Sequence, residues 1–98
     1  MPETFARYDT ADYLTSTQDA ALFLEAAIEE AGDDPAYVTA ALGAIARSGN
    51  MSELARRAGV TREGLYKALS AEGNPSFATV LKVTHALGLR FRVESVPA

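Results

Sequence analysis

Residues 51–70 restrict this chain's fold more than any other stretch: they read as two short helices hinged on one glycine. Asn50 opens the first, with Glu53 three positions on to complete a capping box, and the helix runs to Ala58. Gly59 breaks it where the turn needs a positive φ, which glycine accepts without strain. Thr61 caps the second helix, which reaches Leu69. Two helices crossing near a right angle need a small residue at their contact, and Ala55 supplies it. Leu54, Ala58, Val60, Leu65 and Ala68 fall at the inward positions of the pair, and no proline interrupts either helix. Several independent constraints therefore agree at fixed offsets.

With the apolar positions turned inward, the outward face of the second helix follows by subtraction: Thr61, Arg62, Glu63, Tyr66, Lys67 and Ser70. In a helix-turn-helix this face enters the DNA major groove and its first residues meet base edges. Arg62 has the fork geometry to read guanine, and Glu63 can accept from cytosine. Tyr66 and Lys67 fit sugar and phosphate, or a thymine methyl for the tyrosine. Ser52 offers a hydroxyl beside a helix N-terminus to a phosphate. Arg56 and Arg57 are either backbone contacts or solvated surface charges. The plainer alternative, an ordinary corner between two helices, does not require a polar, basic outward face. Gly64 inside the reading helix costs about 1 kcal/mol against alanine, and the sequence leaves its reason open.

The rest of the chain punctuates itself as helices too. Asp9 can cap a short turn over 10–14. The cluster Thr15-Ser16-Thr17 caps a helix over 18–31 stopped by Gly32, with Ala21, Leu24, Ile28 and Ala31 as its apolar stripe. Asp33-Asp34-Pro35 starts a helix through Val38, Leu42, Ile45 and Ala46 to Arg47. Ser76 caps a last helix over 77–87 before Gly88. From Leu89 to Val96 apolar and polar residues alternate, a strand pattern of period two with no partner strand elsewhere in the chain. Pairing with a second copy would supply one. The expected fold is all-α, a compact domain of five or six helices with a short C-terminal β-strand. It divides into acidic N-terminal helices over 1–49, a DNA-binding core over 50–88 and a tail over 89–98.

The net charge of −4 conceals an asymmetry. Residues 1–50 carry nine carboxylates and two arginines, a net of −7, whereas residues 51–98 carry seven basic residues and four acidic ones, a net of +3. Screening acts over roughly 8 to 10 Å at physiological salt, so the second half can approach phosphate while the first faces something else. An acidic half can also be simply a solvated face. No apolar run approaches the roughly 20 residues that span a bilayer. Met1 to Tyr13 has acidic residues and no continuous apolar stretch, unlike a signal peptide. With no cysteine there is no disulfide framework or thiolate metal site. These features lead us to expect a soluble cytoplasmic protein of prokaryotic type, without cofactor or metal.

The run from Asn50 through Ala86 resembles the Cro/lambda-repressor, or Xre-like, helix-turn-helix. Leu54-Ala55, Ala58-Gly59-Val60, Asn74-Pro75-Ser76-Phe77 and Ala86-Leu87-Gly88-Leu89 carry that likeness. The wider chain resembles the HigA-like addiction-module antidotes of type II toxin–antitoxin systems. There the likeness lies in Phe5, the run from Tyr8 to Leu14, Asp34-Pro35-Ala36, the run from Ala40 to Arg47 and the run from Leu65 to Ser70. The resemblance implies a lambda-repressor-like fold and a homodimer that binds an operator, represses its own operon and neutralises a small, commonly basic toxin. Many members of the broader class have a phosphate-contacting glutamine where Met51 stands, and methionine cannot make that hydrogen bond.

Three other readings differ in what they need. A stand-alone Xre-like regulator would have no toxin, and a protein-interaction module would have lost DNA binding. An enzyme would need a convergent set of groups. The single histidine, His85, sits beside the Leu81 and Leu87 positions of the last helix, and no HExxH or P-loop pattern is present. His85 therefore reads as a packing or surface residue. The aromatic lead Phe5, Tyr8 and Tyr13 together with the acidic first half suits a basic partner protein.

Overall fold

A computed structural model describes residues 16–70 and 72–97, and their regular structure is five α-helices: α1 Thr17–Ala31, α2 Pro35–Arg47, α3 Met51–Ala58, α4 Arg62–Ala68 and α5 Phe77–Ala86. The short turn expected over 10–14 and the aromatic lead lie outside the described residues. Each helix begins where a side chain can accept one of its orphan backbone N–H groups. Ser16 accepts from the Asp19 amide at 3.0 Å, Asp34 from Ala36 at 3.0 Å, Asn50 from Glu53 at 2.9 Å, Thr61 from Gly64 at 2.9 Å and Ser76 from Thr79 at 3.1 Å.

α1 and α2 pack as a pair, α3 sits on α5 and α4, and α2 also meets α3. Leu42, Leu65, Val83 and Thr84 are the most completely buried side chains, so α2, α4 and α5 all send anchors into one core. The Thr84 hydroxyl is satisfied by donating to the Val80 carbonyl at 2.7 Å. On α1 the buried stripe is Ala20, Leu24, Ala27 and Ala31. The expected Ala21 and Ile28 fall beside it and are exposed. Leu24 and Ala31 belong to both stripes, and packing against α2 turns Ala20 and Ala27 inward in place of the other two.

The expected C-terminal strand is not there. Among the described residues none is in a strand, and 89–97 run past α5 without a ladder. A strand is defined by pairing, and among the described residues every regular element is a helix whose backbone groups are already used. The alternation instead has a one-sided outcome. Leu89 and Phe91 are half-buried, facing a groove of about 600 Å³ whose other side is α1 at Leu24, Glu25 and Ile28. Val93, the next residue of the same phase, is 98% exposed. The tail is anchored where it leaves α5, because Leu89 N donates to Thr84 O at 3.0 Å and Gly88 adopts φ 84°.

Candidate nucleic-acid interface

The turn between α3 and α4 is fixed by its own hydrogen bonds. Gly59 takes the left-handed conformation at φ 76°, ψ 29°. Its N–H donates to Arg56 O at 3.2 Å and the following Val60 N–H to Ala55 O at 3.0 Å, which closes α3. Thr61 then starts α4 directly. Leu54, Ala55 and Ala58 of α3 and Leu65 of α4 are buried, with Val60 and Ala68 half-buried. Leu69 is also buried and ends α4. α4 is thereby held by one side, and its other side is bare.

That bare side carries the residues singled out in the sequence. Thr61, Arg62, Glu63, Tyr66, Lys67 and Ser70 are all exposed. The Arg62 guanidinium carbon lies 5.1 Å from the centre of the Tyr66 ring, a cation–π pair one helical turn apart. The ring thus limits where the arginine can go without neutralising it. Two of the set have local duties. Thr61 Oγ1 is occupied as the helix cap, and the Ser70 hydroxyl donates to Lys67 O at 2.9 Å. Ser52 is exposed at the second position of α3, away from the α4 set in sequence.

The capping box expected at Asn50 forms only by half. Asn50 accepts from the Glu53 amide, but the Glu53 carboxylate turns to Arg56 and Arg57. Arg56 makes a short ion pair through Nη2 and a second contact through Nε at 3.3 Å, while Arg57 Nε sits 3.1 Å away. The hydrogen bond from Arg56 is the main reason the Glu53 carboxyl lies below its ordinary pKa, and Arg56 is correspondingly raised. The two α3 arginines are exposed and tied to one carboxylate, whereas Arg62 and Lys67 on α4 make no ion pair among the described residues. Sequence reasoning missed both the clamp and the Arg62–Tyr66 stack, although their three- and four-residue spacings are legible in the sequence.

Met51 is buried at the start of α3 and belongs to the core cluster. The methionine side chain at this position therefore serves packing. A Cβ at Gly64 would stand 2.9 Å from Thr61 Oγ1, although Asp19, Glu53 and Thr79 hold the same position of other caps with full side chains. Behind α4, Gly73 comes so close that a Cβ would meet the carbonyls of Ala68 at 2.2 Å and Lys67 at 2.5 Å. The chain leaving α4 can fold back against its end only with glycine at that position.

Comparison with known proteins gives this arrangement a family. The profile of a family described as probable addiction module antidote protein matches residues 4–95. The chain belongs to that family. A relative in Haemophilus influenzae strain Rd is described as an uncharacterized protein. That relative is 50% identical over 94 residues, covering 96% of this chain and 95% of its own. No solved structure matches the chain. Among the described residues of this antidote-family member, no helix is long and apolar enough to cross a membrane. His85 is exposed.

Proposed function

We propose that this chain is a sequence-specific DNA-binding antitoxin, with the α3–turn–α4 unit as an Xre-like helix-turn-helix. The observation that carries the DNA-binding part is the one-sidedness of α4. Leu65 is only 1% exposed on one side, while Arg62, Glu63, Tyr66 and Lys67 stand clear of the protein on the other. Such a helix can enter a major groove without any change to its own packing. Arg62 then reads guanine, Glu63 meets cytosine, and Tyr66 with Lys67 reaches the sugar–phosphate backbone. Thr61, Ser70 and Ser52 fill supporting positions, Thr61 chiefly through the cap and Ser52 through the start of α3.

The antitoxin part is supported by membership of an addiction-module antidote family. An antidote has a toxin as its counterpart, and the acidic first half gives a basic toxin a complementary surface. One helix reads only a few base pairs, so two copies of the chain bind an operator of two half-sites and repress the operon that encodes them. The experiment is a gel shift of the purified chain on the DNA upstream of its gene, against a shuffled duplex of the same composition. A preference of about 10³-fold or more for the upstream DNA supports the reading. Equal binding to both duplexes contradicts it.

A further inference from the structure

A second surface, lined only by α1 and α2, has no task in DNA binding. Ala26 and Ala27 of α1 and Ala40 and Ala41 of α2 leave an apolar groove of about 300 Å³ between the helices. Phe23 and Tyr37 extend it, and the Glu30 carboxylate stands on its lining. Ala27 and Ala41 are buried and form its bottom, whereas Ala26, Ala40 and Glu30 are exposed. Tyr37, a large ring, is 46% exposed there. Its lining carries one charge, that of Glu30, while Glu25 and Glu29 line a separate groove of α1 together with Arg90 and Arg92 of the tail. Residues 16–46 contain six carboxylates (Asp19, Glu25, Glu29, Glu30, Asp33 and Asp34) and no lysine or arginine.

We propose that this groove seats a bulky apolar side chain from a lysine- or arginine-rich segment of the toxin, with Glu30 meeting a cation beside it. The proposal rests on the antitoxin reading above and names the surface that performs it. Alanines on both helices create the opening, because a larger residue at any of the four positions would occupy it. An apolar seat within an acidic field is selective: the seat supplies contact energy, and the field steers basic partners toward it. A second copy of the chain is the poorer occupant, since two such hairpins would bring their carboxylates together. The chain's own residues 1–15 have aromatic side chains but carry Glu3, Asp9 and Asp12 against Arg7, so they lack the complementary charge.

The test measures binding of the full chain to the purified product of the open reading frame beside its gene, by calorimetry. Ala26→Trp and Ala40→Trp each fill the groove from an exposed position, Leu22→Trp adds the same bulk elsewhere on α1, and Glu30→Lys reverses the local charge. Operator binding and thermal melting of each variant report that the fold is kept. We expect the two groove variants to bind about tenfold or more weakly, Leu22→Trp to bind as wild type, and Glu30→Lys to weaken binding most at low salt. Full affinity in both groove variants overturns the proposal while leaving the antitoxin reading intact. Loss of self-association in those variants with unchanged affinity for the product also overturns it and assigns the groove to a second copy. If the product fails to bind the wild-type chain, the antitoxin reading falls and the groove proposal falls with it.

Discussion

The α1–α2 pair and the α3–α4 pair are both helical hairpins closed through a positive-φ glycine, yet they divide size and charge in opposite ways. α1 and α2 have 15 and 13 residues, and the stretch 16–46 is wholly acidic in its charged side chains. α3 and α4 have 8 and 7 residues, and α4 presents Arg62 and Lys67 outward. Isolated helices shorter than about 12 to 15 residues are marginal in water. The α3–α4 pair therefore draws its stability from the shared core, chiefly through Leu54, Leu65 and Leu69. A small chain can thus keep one helix face bare: the long pair supplies core, and the short pair spends almost none of its outer face on packing.

The sharpest way to break that comparison is to remove the anchor of the short pair. Leu65→Ala deletes a side chain that is 1% exposed, and should cost about 2 to 5 kcal/mol of stability in urea unfolding. A loss below about 1 kcal/mol would mean that α4 does not depend on the core as described. Next in size is the proposed reading face. Arg62→Ala should weaken operator binding by about 1 to 3 kcal/mol and relax the preference at one base pair, with the melting temperature nearly unchanged. An equal loss of affinity on every DNA sequence would reassign Arg62 to phosphate.

Much of this contrast is legible in the sequence because its signals are local. Ser16, Asp34, Asn50, Thr61 and Ser76 each cap through a hydrogen bond that spans two or three residues. The inward positions of 51–70 are legible for a similar reason, since few other apolar residues there compete for them. The stripe of α1 is less so. With alanines at 20, 21, 26 and 27, two neighbouring faces look alike, and only packing on α2 selects Ala20 and Ala27 over Ala21 and Ile28. The tail fails for a different reason. Alternation at Leu89, Phe91 and Val93 predicts a strand, but a strand needs an edge to pair with, and the described residues offer helices alone. At Glu53 two signals compete, and the arginines on the next turn win the carboxylate from the capping box.

Smaller effects sharpen the contrast further. Asn50→Ala removes the α3 cap and should cost about 1 kcal/mol, measurable as a lower urea midpoint. The weakest effect is that of the Glu53 clamp. Its carboxyl is held below the ordinary value of 4.5, chiefly by the Arg56 hydrogen bond. A carboxyl with a depressed folded pKa adds stability that is complete above its unfolded pKa and is lost as pH falls through the folded one. Wild type should therefore lose slightly more stability than Glu53→Gln as pH drops below 4.5, and the two should run parallel above it. Because the clamp is exposed, the difference should be small in matched thermal melts.

The division of labour between the two pairs is tested most directly by backbone amide NMR of the isotope-labelled chain titrated with its upstream duplex. We expect the largest shift changes over 61–70, with smaller ones at Ser52 and near-silence over 16–46. Changes concentrated on α1 and α2, with Arg62, Tyr66 and Lys67 unmoved, would contradict it.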